Sequence, residues 1–132
     1  MEIIKNFDMN TPTWDEVIKN LNLSIFNKQL VKSNDSGFFV SHNAYMIPKV
    51  RELMNFFNLN SAHLYINFIF NGETFGRHVD KVDVKFWQII GKTKWIIEDK
   101  EYVLERGDLI SVPKGIYHEV IPMEPRAGIS FG

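Results

Sequence analysis

Apolar residues recur along this chain with two periods, and the change from one to the other divides it. In the first third, Thr13-Trp14-Asp15-Glu16 has the spacing of a capping box, the Thr13 hydroxyl taking a first-turn amide while Glu16 reaches back, which predicts a helix over roughly 14–22. The apolar run Gly37-Phe38-Phe39-Val40, bounded by Asn34, Asp35 and Ser36, predicts a strand. Pro48 suits the first turn of a second helix, where its missing N–H would be unpaired anyway. Val50, Leu53, Met54 and Phe57 then fall at i, i+3, i+4 and i+7 as one apolar stripe, suited to packing against a sheet.

From Ala62 the pattern shortens to β-type segments, predicted at 64–70, 84–90, 94–97, 102–104, 109–112, 118–121 and 127–131. Asn71-Gly72, Gly91, Glu98-Asp99-Lys100, Arg106-Gly107-Asp108 and Pro113-Lys114-Gly115 supply the breaks between them. Many short strands after two helices predict a mainly β domain, a sandwich or small barrel with two short N-terminal helices packed outside it. With 132 residues the chain is read as a single domain, residues 1–61 a mixed lead-in and 62–132 the strands that carry the motifs.

Composition then removes several function classes. Fifteen Lys and Arg against sixteen Asp and Glu leave a net charge of -1, which argues against nucleic-acid binding through a basic face. There is no Cys, so any metal must be held by His, Asp or Glu. No apolar run reaches the roughly 18 residues of a membrane span, and Met1-Glu2-Ile3-Ile4-Lys5 does not read as a signal peptide, so no membrane association and a cytoplasmic location are expected.

Candidate chemistry centres on His78-Val79-Asp80, because residues i and i+2 of a strand face the same side and can reach one ion together. A second element runs Gly107-Asp108-Leu109-Ile110-Ser111-Val112-Pro113-Lys114-Gly115-Ile116-Tyr117-His118. Together these resemble the two motifs of the cupin superfamily. The first falls on Gly72, His78, Asp80 in place of the second His, Val84 in place of Glu, and Gly91; the second falls on Gly107, Pro113, Gly115 and His118, with Pro122 in place of Asn. The resemblance implies a double-stranded β-helix (jelly-roll, cupin) barrel. Two imidazoles and one carboxylate, from His78, Asp80 and His118, make the facial triad expected of non-haem Fe(II) oxygenases.

A second resemblance agrees. His78-Val79-Asp80-Lys81-Val82-Asp83-Val84, then Gln88, Gly91 and Trp95, is similar to the JmjC-type 2-oxoglutarate oxygenases, as are Gly107-Asp108-Leu109 to His118 and the ending Ile129-Ser130-Phe131-Gly132. It implies Fe(II) as metal, 2-oxoglutarate as cosubstrate and hydroxylation of a small-molecule or protein substrate. That family places a basic residue two positions after the glycine of its G-x-K-x-W strand to pair with the far carboxylate of 2-oxoglutarate, and here Thr93 stands there. Strand alternation puts Thr93 and Trp95 on one face, Lys92 and Lys94 on the other. Either another group binds that carboxylate, or a bulge turns a lysine inward, or the cosubstrate differs or is absent. Tyr65 and Asn67, on one face of the preceding strand, are candidate polar wall groups, so the cofactor-binding candidates are Tyr65, Asn67, Thr93 and Lys94.

Two other readings stand beside this one: a cupin metalloenzyme that does not use 2-oxoglutarate (a dioxygenase, isomerase or lyase), and a non-catalytic ligand-binding or interaction cupin. Gly107, Pro113 and Gly115 are read as turn residues that aim His118, Trp87 and Trp95 as core or barrel wall, and His42 and His63 as ordinary histidines. Arg77 and Lys81 are read as solvated rim charges. A homodimer is expected, since an open sheet edge is a liability alone.

Overall fold

The computed structural model describes residues 1–27, 30–33 (backbone only), 37–69 and 74–132. The predicted boundary at Asn34, Asp35 and Ser36, the Asn71-Gly72 break, the end of the predicted 64–70 strand at Phe70, and Gly72 of the first cupin motif lie outside the described residues. In chain order the elements are β1 (Glu2–Ile4), α1 (Trp14–Phe26), β2 (Leu30–Ser33), β3 (Phe38–Ser41), a short 3-10 turn (Ala44–Met46), α2 (Pro48–Phe57), β4 (Ala62–Asn67), β5 (Val84–Ile90), β6 (Thr93–Ile97), β7 (Lys100–Leu104), β8 (Leu109–Val112), β9 (His118–Pro122) and β10 (Arg126–Phe131).

Among the described residues these strands form a large antiparallel sheet in the order β1-β8-β5-β10-β4-β3-β2 and a small one in the order β7-β6-β9. His78 pairs with His118 beyond β9, so the segment before Asp80 borders the small sheet on its open side. Strand order, two facing sheets and two helices outside them are those of a double-stranded β-helix, as the motifs imply.

The large sheet is covered on both faces, which β5 shows residue by residue. Phe86 and Gln88 point between the sheets and Trp87 and Ile89 point to the helices, all four buried. Phe86 joins Trp95, Ile97, Leu104, Ile110 and Val112 in the core between the sheets. Trp87 and Ile89 join Leu64, Ile66, Ile129 and Phe131 in a second core beneath Val17 and Leu21 of α1 and Val50, Leu53 and Met54 of α2. The α2 stripe therefore does what its spacing predicts, and the capping box of α1 forms, with Glu16 N donating to Thr13 Oγ1 at 3.3 Å and Thr13 N to the Glu16 carboxylate at 3.2 Å.

Three differences from the sequence reading have local causes. Helix α1 continues to Phe26 because Val17, Asn20, Leu21 and Ser24 keep one buried face and Ser24 Oγ donates back to Leu21 O at 2.6 Å. Strand β4 ends at Asn67, where Phe68 N turns to donate to Gly37 O at 3.1 Å. β1 and β2 are edge strands of three and four residues, too short to carry a period, and exist because β8 and β3 offer free edges.

The N-terminal strand is held by a polar clamp. Asp108, 1% exposed, accepts from Lys5 Nζ, from Asn6 N at 2.9 Å and from Glu105 N at 2.8 Å. Burial alone would raise this carboxyl, but the bonds from Lys5, Glu105 and Asn6 outweigh it and hold it below the ordinary value. A carboxyl depressed in the fold stabilises fully above its unfolded value of about 3.9 and loses that stabilisation as pH falls through the lower folded value. Asp108→Ala is expected to cost about 2–3 kcal/mol near neutral pH, the worth of charge-assisted bonds on a buried carboxylate. Urea unfolding of both proteins should show that deficit shrinking below about pH 3; a deficit that persists there would remove the carboxylate from the explanation.

Candidate metal centre

Backbone hydrogen bonds, rather than a continuous strand, assemble the centre. His78 N donates to His118 O and His118 N to His78 O, both at 2.9 Å, and Thr74 Oγ1 donates to Val120 O at 2.9 Å, so the segment before Asp80 lies along β9. Asp80 itself follows in irregular backbone. It is placed by the β8–β9 turn, where Gly115 N donates to Asp80 O at 3.0 Å and Lys114 N to Asp83 Oδ1 at 2.9 Å. Gly115 has φ +79°, a left-handed conformation that favours glycine, so its role as a turn residue is geometric.

These bonds bring His78, Asp80 and His118 together, one ligand atom from each lying within 4.8 Å of the others. His118 Nε2 is 3.2 Å from Asp80 Oδ2 and His78 Nε2 is 3.8 Å from Asp80 Oδ1. Both rings are oriented from behind: His78 Nδ1 lies 2.7 Å from Gly76 O, and His118 Nδ1 lies 2.9 Å from Ile116 O. A carbonyl oxygen only accepts, so each Nδ1 carries a hydrogen and, in the neutral ring, each Nε2 turns its lone pair inward. Two lone pairs facing a carboxylate repel one another unless a cation or proton lies between them. A donor set of two nitrogens and a carboxylate, with each ring held from behind by a carbonyl, could hold a divalent metal ion.

The centre opens into a cavity between the sheets lined by Phe38, Tyr65, Phe75, Phe86, Trp95 and Val120. Trp95 stacks on the His118 ring, centroids 5.8 Å apart and planes 18° from parallel, and its indole N–H donates to Thr93 Oγ1 at 3.1 Å. Thr93 Oγ1 in turn donates to Gln88 Oε1 at 2.9 Å. The Thr93 side chain is thus buried with its hydroxyl engaged on both sides, and Lys94 lies on the opposite face of β6, 3.8 Å from Glu101. Tyr65 does reach the cavity. Asn67, fully buried, accepts from Arg126 Nε at 2.8 Å. His42 and His63 pack on one another, ring centroids 4.4 Å apart, and Arg77 lies over the Tyr117 ring at 4.9 Å.

Arg126 is the functional candidate that sequence reasoning missed. It begins β10, is 1% exposed, lines the same cavity, and its Nη1 has no hydrogen-bond partner. No Asp or Glu lies within ion-pair distance of it among the described residues. Burial pulls its pKa down to about 10, partly offset by Tyr65, so it stays charged at neutral pH. Tyr65 is raised by burial and by the Asp80 charge and lowered by Arg126, which places the phenol in the field of both. In sequence, Pro125-Arg126-Ala127 carries no motif, and only strand alternation with Gly128 and Ser130 hints that its side chain faces inward.

No protein-family model matches the chain, and no curated protein matches it by sequence. Solved structures do. The ribosomal oxygenase YcfD of Escherichia coli, in complex with cobalt and 2-oxoglutarate, superposes over 99% of this chain with TM-score 0.77 at 17% identity. The chain spans 47% of that protein, about half its length. A cupin superfamily protein of Desulfitobacterium hafniense matches 97% of this chain and 94% of its own, with TM-score 0.57 at 12% identity. KdgF from Halomonas sp. matches 76% of this chain and 82% of its own, with TM-score 0.56 at 15% identity. At these identities the likeness is one of fold, and it is the cupin fold that the two motifs imply. The chain thus has a cupin fold that brings His78, Asp80 and His118 together at one end of the cavity between its sheets.

If the three side chains hold one ion, Co(II) or Fe(II) in excess over chelator-treated protein should raise the melting temperature. At a hundred times the dissociation constant the stabilisation is about 2.7 kcal/mol. His78→Ala, Asp80→Ala and His118→Ala should each abolish the shift while the metal-free proteins retain the same far-ultraviolet circular dichroism; a full shift in any of the three would remove that residue from the centre.

Proposed function

We propose that this chain is an Fe(II)- and 2-oxoglutarate-dependent oxygenase, a hydroxylase of the JmjC/cupin type, in which His78, Asp80 and His118 hold the metal. The observation that carries the reading is the convergence of two Nδ1-protonated imidazoles and one carboxylate at the mouth of a double-stranded β-helix. Three protein donors would leave a bound divalent ion able to take further ligands such as a cosubstrate and O₂. When bound, iron would supply the oxidative chemistry that couples decarboxylation of 2-oxoglutarate to succinate with hydroxylation of a C–H bond. YcfD, solved with cobalt and 2-oxoglutarate on the same fold, supports that choice over other cupin chemistries.

The chain's own residues do the rest. Gly76 O and Ile116 O fix the imidazole tautomers, Gly115 N fixes the backbone at Asp80, and Trp95 packs flat against His118 so that its ring does not swing. Phe38, Phe75, Phe86 and Val120 give the cavity beside the centre apolar walls. Phe75, which lines the cavity, is itself exposed, so a small molecule or a protein side chain entering there meets an apolar surface.

The second reading, a metal-dependent cupin enzyme without 2-oxoglutarate, draws on Thr93, whose hydroxyl is already committed to Gln88 and Trp95. One titration separates the two. Metal-free protein given Fe(II) and then 2-oxoglutarate without oxygen is expected to develop the weak visible charge-transfer band of a chelated 2-oxo acid, and His78→Ala to lack it. Iron binding with no band at saturating 2-oxoglutarate would favour the second reading.

A further inference from the structure

Among the described residues Arg126 is a buried charge without a counter-charge, and that demands an explanation. Taking a guanidinium out of water costs several kcal/mol unless an opposite charge and hydrogen bonds offset it. Here the protein offers a neutral amide, Asn67, to Nε, and the face of Phe86, whose ring centroid is 5.8 Å from the guanidinium carbon. Phe86 comes this close because Gly128, two residues along β10, has no side chain; a β-carbon there would run into the Phe86 ring. Nη1 is left bare, on a residue that lines the cavity.

Charge counting describes the ligand that would complete this. A divalent ion on Asp80 and two neutral imidazoles leaves one net positive charge at the centre, and Arg126 adds a second. The cavity therefore suits a dianion. Its two cationic ends hang from opposite walls, the metal ligands at the border of the small sheet and Arg126 on β10 of the large one. A ligand spanning them needs a chelating head and an anionic tail. Tyr65, which faces Gly128 across the β4–β10 pair and feels the charges of both Asp80 and Arg126, lines the same cavity.

We propose that Arg126 binds the far carboxylate of a 2-oxo dicarboxylate whose 2-oxo acid end chelates the metal, so that the anchoring charge in this chain comes from β10 across the cavity and not from position 93 or 94 on β6. The proposal rests on the 2-oxoglutarate reading and extends it to a particular residue and to selectivity for dicarboxylates over monocarboxylates. Arg126 is a binding residue, and its effect is read in affinity.

The test measures binding of 2-oxoglutarate and of 2-oxopentanoate, which lacks the far carboxylate, to Co(II)-loaded protein by calorimetry. Wild type is expected to prefer 2-oxoglutarate by about ten- to a hundredfold, the worth of hydrogen bonds to a charged group. Arg126→Met should erase the preference by weakening 2-oxoglutarate alone, and Arg126→Lys should retain part of it. Co(II) affinity should be unchanged in both. Ligand-free Arg126→Met should melt no lower than wild type, because an unpaired buried cation has been replaced by an apolar side chain of similar length; a residue kept only for stability would give the opposite. Equal binding of the two ligands to wild type, or undiminished 2-oxoglutarate binding in Arg126→Met, overturns the role of Arg126 and leaves the cosubstrate reading standing. No binding of 2-oxoglutarate to metal-loaded wild type overturns both. Should Arg126→Met fail to fold, the wild-type ligand pair and Arg126→Lys decide the matter.

Discussion

Two reciprocal backbone hydrogen bonds between His78 and His118 hold the candidate site together. They are the only ladder contact that the segment before Asp80 makes, among the described residues, with the sheet it borders. Because both partners are themselves donors to the centre, the bond that closes the sandwich also sets the distance between the imidazoles, whose centroids are 4.4 Å apart. A pair of side chains on one continuous strand would be spaced by the pleat alone. Here the spacing comes from two chain segments far apart in sequence, and it is as rigid as the sheet beneath it.

Among the described residues, polar groups between the sheets follow one rule with one exception. Gln88, Thr93 and Trp95 form a closed relay in which every donor has an acceptor, ending on the carbonyls of Ile90 and Gly91. Such satisfied networks cost little and keep a core unique. Asn67 accepts from Nε of Arg126, while Nη1 has no hydrogen-bond partner. The contrast is informative, because the same core that satisfies a threonine hydroxyl twice leaves an arginine nitrogen bare on a residue that lines the cavity beside the donor set.

The two faces of the large sheet divide the labour. Toward α1 and α2 it presents Leu64, Ile66, Trp87, Ile89, Ile129 and Phe131, an unbroken apolar surface that supplies much of the buried area. Toward the small sheet it presents Tyr65, Asn67, Phe86, Gln88 and Arg126, where polar and aromatic groups alternate. Strand alternation makes this possible, since one strand serves stability on one face and chemistry on the other.

That alternation is also why so much was legible in the chain. The capping box of α1, the stripe of α2, the strand series from Ala62 and the inward set of Thr93 and Trp95 are local patterns, and local patterns are written in consecutive residues. His78, Asp80 and His118 were legible because cupin-like spacing links them to the turns that aim them. What the sequence could not specify is which residue meets which across the cavity. β1 and β2 are too short for a period, and they form because neighbouring strands leave edges to fill. Arg126 looks like any loop-flanking arginine until β4 and β10 pair, setting it opposite Asn67 and over Phe86. Burial, and the absence of a counter-charge among the described residues, are properties of the assembled sheets, so only the tertiary structure could mark that arginine as a candidate.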